Sequence, residues 1–96
     1  MKLSECLFEA EAKRKAGEIV QIRGAFKRLP NSYCAMGYIR EYHNFVFNAA
    51  FDMEIPLELK QRYPKPESLL QLCYYLNDKR RMSFGTIAKV LEKAGY

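Results

Sequence analysis

The 96-residue chain has no tryptophan, a single histidine (His43) and only three cysteines (Cys6, Cys34 and Cys73). The cysteines are widely spaced and include no C-x-x-C pair, so no structural zinc site is offered; one tetrahedral ion needs ligands in close couples. An odd number of thiols also argues against a disulfide framework and for a reducing compartment. Five glycines and four prolines are too few for a collagen-like or low-complexity chain. No apolar run approaches the ~20 residues of a membrane span, and residues 1–11 lack the apolar centre of a signal peptide. The expectation is a cytoplasmic protein with no membrane partner.

Catalytic groupings are missing as well. Cys34, Cys73 and Ser83 have no evident histidine or aspartate partner in the sequence, and His43 lies on an apolar helical side beside Tyr42 and Val46. Gly85 and Gly95 are isolated, so there is no glycine-rich phosphate loop. No enzyme, catalytic residue, metal ligand or cofactor is expected.

What is present is ordinary for one globular domain: 49% apolar and 28% charged residues, with a net charge of +5. That charge is unevenly placed. Met1–Leu59 carries eight basic and eight acidic residues, whereas Lys60–Tyr96 carries eight basic and three acidic. The whole surplus therefore falls on the last 37 residues.

Hydrophobic spacing predicts an all-α fold of four to five short helices, with a body over 1–63 and a helical hairpin over 66–96. Ser4 reads as the cap of a first helix reaching about Leu29, with stripes at Leu3, Leu7, Ala10 and at Ile19, Ile22, Phe26, Leu29; two helices broken near Gly17 fit as well. From Ser32 to Met53, Met36, Ile39, Tyr42, Val46, Phe47 and Ala50 share one side, and Gly37, Arg40, Glu41 and Asn48 the other. Period-two alternation leaves an α+β alternative, with strands in 18–26 and 44–55. Pro56, Pro64 and Pro66 mark a connection with one helical turn at Leu57–Arg62. Pro66 is expected to open the next helix, which carries Leu69, Leu72, Cys73 and Leu76 and ends near Asn77 or Asp78. Ser83 then caps a last helix with Phe84, Ile87, Ala88, Leu91 and Ala94 inward and Gly95 as its stop.

The string Met82–Leu91, following a helix and a basic turn, resembles the second helix of helix-turn-helix DNA-binding domains, including that of the lactose-repressor family. The resemblance covers about residues 66–96. It departs from the family at Asn77, where a small residue is usual, at Arg81, where glycine is usual, and at Phe84 and Gly85, where base-reading polar residues often stand. Ser83–Leu91 also resembles the first helix of such a unit, and a helical hairpin without DNA contact is the plain alternative. The resemblance implies a small DNA-binding or transcription-regulating protein. Double-stranded DNA would be held by Lys79, Arg80, Arg81, Ser83, Thr86, Lys89 and Lys93, with the helix start against a phosphate.

Seven tyrosines and six phenylalanines are more than so small a core can hide, and many crowd the acidic segment 33–55. Tyr38, Tyr42, Phe45 and Phe51 are therefore candidate partner contacts. They would serve a homodimer or, as the alternative function, a protein–protein interaction module acting as adaptor or inhibitor.

Overall fold

Helix α1 forms over Leu3–Lys15 in the computed structural model, which describes every residue except Leu29; the stripe position expected there lies outside the described residues. Lys2 caps α1 and donates its N–H to Glu5 Oε1 at 2.8 Å. Ser4 is therefore not the cap but a buried residue of the first turn. Gly17, at φ 77°, stops the helix, with Glu18 N–H donating to Lys13 O and Gly17 N–H to Arg14 O in a left-handed terminal turn.

The first segment is thus not helical to Leu29. It continues as three two-residue strands: β1 (Val20–Gln21), β2 (Lys27–Arg28) and β3 (Ser32–Tyr33), in the order β1-β3-β2. Strand β3 pairs parallel to β1 and antiparallel to β2. Then follow α2 (Ala35–Tyr42), α3 (Asn44–Ala50), α4 (Leu57–Arg62), α5 (Leu69–Asp78) and α6 (Phe84–Lys93). Among the described residues there are six helices, 57% of the chain, and a small sheet, so the fold lies nearer the α+β alternative than the all-α expectation. That alternative holds only in part. Residues 44–55 are no strand, since Asn44–Ala50 is helix α3.

Segment two also splits. His43, at φ −140° and ψ 54°, leaves helical geometry and ends α2. Ser68, rather than Pro66, opens α5, its hydroxyl accepting from Gln71 N–H at 3.2 Å. Ser83 caps α6 as expected, accepting from Thr86 N–H at 3.2 Å.

Helices α1 and α6 make the main packing pair, and they run antiparallel. Ser4 N–H near the start of α1 donates to Tyr96 O beyond the end of α6, while Glu11 sits against Gly85 at the start of α6. Leu3, Leu7, Ile39, Leu72, Leu76, Phe84, Ile87 and Leu91 belong to one buried cluster, so the C-terminal hairpin shares its core with the body. Among the described residues, no helix is long and apolar enough to cross a membrane.

Candidate nucleic-acid interface

The α5–turn–α6 hairpin is anchored by Asn77, a fully buried side chain in the last turn of α5. Its Oδ1 accepts from Gln21 Nε2 at 2.8 Å and from Ala35 N–H at 3.1 Å. Its Nδ2 donates to Ile22 O at 2.9 Å and to Asp78 Oδ1 at 2.8 Å. Gln21, on β1, also donates from Nε2 to Met82 O at 2.8 Å and accepts at Oε1 from Phe84 N–H at 3.0 Å. Two amide side chains therefore tie the turn to the small sheet. Asn77 is the buried amide on α5 that reaches the sheet.

The turn itself holds a residue in an uncommon conformation. Arg81 has φ 56°, the left-handed region usually left to glycine and costing other residues about 1–2 kcal/mol. The turn is closed by Arg80 N–H to Tyr75 O at 3.2 Å and Met82 N–H to Leu76 O at 3.0 Å.

The start of α6 differs from expectation. Phe84 N–H goes to Gln21, Thr86 N–H to Ser83, and the Gly85 N–H faces the Glu11 carboxylate. A Cβ on Gly85 would come within 2.8 Å of Glu11 Oε2. Two first-turn amides are taken by the chain's own oxygens, and a carboxylate lies at the positive end of the helix dipole. The Phe84 and Thr86 amides are thus not free to hold a phosphate at this helix start. Ser83 acts as a cap, and Phe84 and Gly85 are buried.

The other basic positions face solvent. Lys79, Arg80, Arg81, Thr86, Lys89 and Lys93 are exposed, with Thr86, Lys89 and Lys93 along the outer side of α6. The Arg80 guanidinium lies 5.4 Å from the Tyr63 ring centre. Among the described residues none of the five cationic side chains pairs with a carboxylate. The fold adds two arginines from the electrically neutral half: Arg23, whose Nη2 donates to Arg81 O at 3.1 Å, and Arg14 at the end of α1. Nothing in the spacing of the sequence connects them to the hairpin.

The aromatic candidates divide. Tyr38 is fully buried, so it is no partner contact; its ring stacks on Tyr42 at 4.7 Å and its hydroxyl donates to Glu9. Tyr42, Phe45 and Phe51 are exposed, Phe45 to 86%. Phe45 borders an apolar groove of about 350 Å³ that includes Val46, Met53 and Tyr96.

His43 Nε2 meets the same Glu9 oxygen that Tyr38 uses, joining α1 to α2. This cluster contains no nucleophile. The neighbouring Cys6 is buried, which pushes its thiol up to about 11, and burial lifts Cys73 to about 12, so neither forms thiolate at neutral pH. Among the described residues no group of three metal ligands converges.

Burial pushes the Glu9 carboxyl up, but hydrogen bonds from Tyr38 and His43 outweigh it and hold the group below its usual 4.5. The hydrogen bond from Arg14 does the same for Glu11. Both folded-state values lie below the unfolded ones, so the stability they contribute is present above pH 4.5 and is lost as pH falls through and below that point. Circular dichroism against pH should show stability declining from about pH 4.5 downward, and more gently in the double variant Glu9→Gln, Glu11→Gln. An unchanged acid profile in that variant would contradict the assignment.

No family model, characterised protein or solved structure matches the chain.

Proposed function

We propose that the protein binds double-stranded DNA through the α5–turn–α6 hairpin and serves as a small transcription-associated regulator, a binding protein rather than a catalyst. The observation that carries this reading is the exposed, unpaired set Lys79, Arg80, Arg81, Lys89 and Lys93 on one hairpin. Phosphate neutralisation by lysine and arginine supplies most non-specific affinity for duplex DNA. The left-handed residue at Arg81 supports a helix-turn-helix-like turn, and Thr86, Lys89 and Lys93 offer a helix face to a groove. With two of the first-turn amides of α6 already bonded, phosphates would be held mainly by side chains.

The test is a salt titration of duplex binding by the intact protein. Affinity should fall steeply as salt rises, and Arg80→Glu, Arg81→Glu should weaken binding at least about tenfold and flatten the salt slope by about two, while circular dichroism stays unchanged. Binding that ignores salt, or a charge-reversed variant that binds as before, overturns the reading.

A second reading, a protein-interaction module over 33–55 or a homodimer through it, is favoured by Phe45 and Phe51, exposed to 86% and 60%. It predicts one stoichiometric protein partner, or a second copy, and no salt-dependent DNA binding. The mass of the free protein in solution and pull-down on DNA separate the two.

A further inference from the structure

Three arginines from separate parts of the chain meet in one cleft. Arg14 comes from the end of α1, Arg23 from the loop after β1 and Arg81 from the α5–α6 turn, around a cavity of about 480 Å³. No aspartate or glutamate lines it. Guanidinium groups stay charged at any physiological pH, so a cleft lined by three arginines and no carboxylate favours an anion.

The protein does not use all their donors. Arg14 gives Nε to Glu11, and among the described residues its two Nη groups have no acceptor. Arg23 is fixed by the bond from Nη2 to Arg81 O, yet its Nε is buried with no partner at all. A buried N–H with no acceptor is rare in folded proteins, so the Arg23 head keeps unused donor capacity beside the cleft. Gln21 and Ser83 form part of the wall, but their polar atoms are already engaged with Asn77, Met82, Phe84 and Thr86.

We propose that this cleft is an anion site for a phosphate monoester, held by Arg14, Arg23 and Arg81. Three guanidinium charges offset by Glu11 leave two in excess, which suits the nearly doubly charged monoester better than the singly charged diester of a DNA backbone. The planar fork of arginine matches phosphate oxygens in pairs. The cavity is large enough for a nucleotide-sized body beside the phosphate. The ligand is a terminal phosphate, either on a free mononucleotide-like molecule or at the 5′ end of a nucleic acid. The site stands independently of whether the hairpin binds duplex.

Calorimetry at low ionic strength tests it, with the full chain and inorganic phosphate, adenosine 5′-monophosphate and adenosine as probes. Phosphate and the monophosphate should bind one per chain, and adenosine should not. Arg23→Gln should weaken both by about tenfold, the loss of one charge-assisted bond pair. Arg81→Gly should weaken them similarly while leaving the turn intact, because glycine adopts the conformation that Arg81 is forced into. A 5′-phosphorylated duplex binding more tightly than its 5′-hydroxyl counterpart would assign the ligand to a nucleic-acid end. Equal duplex affinities with monophosphate binding retained would assign it to a free ligand. No binding of either phosphate probe, or equal binding by wild type and both variants, overturns the site. A failure of duplex binding alone overturns only the DNA reading, since the mononucleotide measurement does not involve it.

Discussion

Asn77→Ala is expected to cost about 3–5 kcal/mol, a large share of the roughly 5–15 kcal/mol that keeps a domain of this size folded. The side chain is completely buried and all four of its hydrogen bonds are made inside the protein. Truncation leaves Ala35 N–H and Ile22 O without the partners they have now, and Gln21 loses its acceptor on α5. Each buried group left unpaired costs about 1–3 kcal/mol, and water cannot easily reach a site this enclosed. Asn77→Asp should fare no better, because it removes the donor to Ile22 O and sets a buried carboxylate beside Asp78. Urea denaturation provides the measurement. Asn48→Ala, on the exposed side of α3, is the control and should fall within about 0.5 kcal/mol of wild type. If Asn77→Ala behaved like that control, the amide network would not be what holds the turn to the sheet.

Gly37→Ala separates two pictures by the sign of its effect. On a helical wheel Gly37 falls with Arg40, Glu41 and Asn48 on the polar side, and alanine at an exposed helical position should stabilise by about 1 kcal/mol. In the structure Gly37 is buried against the loop before β2, and an added Cβ would lie 1.7 Å from Phe26 O and 2.5 Å from its carbonyl carbon. Those are backbone atoms with no rotamer to yield, and Phe26 O also accepts Cys34 N–H at 3.2 Å. The substitution should therefore destabilise by about 3 kcal/mol or more, as overpacking against backbone does. Thermal unfolding followed by circular dichroism reads the sign directly. A raised midpoint would overturn the packing of α2 on the Phe26 loop.

The parts of the chain that spacing read well are those whose environment is local. Helix α4 occupies Leu57–Arg62 as expected, α5 ends at Asp78, and Ser83 caps α6 with Phe84, Ile87, Ala88 and Leu91 fully buried. A cap or proline marks each of these boundaries, and in α5 and α6 a single apolar stripe specifies the element without help from elsewhere. Segment one misled for the opposite reason. Val20, Ile22 and Phe26 fit a strand as well as the helix expected there, and the outcome depends on pairing with β3, where the carbonyls of Asn31, just before the strand, and of Tyr33 accept from Val20 and Ile22 N–H. Helical periodicity also runs unbroken through His43, where the backbone departs from helix; there Glu9 of α1 takes the His43 ring.

The candidate site shows the same division. The sequence by itself determined that basic charge is concentrated in the last 37 residues, and that Lys79, Arg80, Arg81, Lys89 and Lys93 lie on a turn and a helix face. It also determined the capped, striped helix that carries the last two. Only the tertiary structure decided that Glu11 and Gln21 close the start of α6, and that Arg14 and Arg23 join Arg81 around a cleft. Tyr38, too, was assigned to the core only by packing. The reason is physical: caps and stripes are set by neighbours a few residues away, whereas a cluster of charges, a buried amide or a covered helix end is set by segments far apart in the chain, whose meeting no local period records.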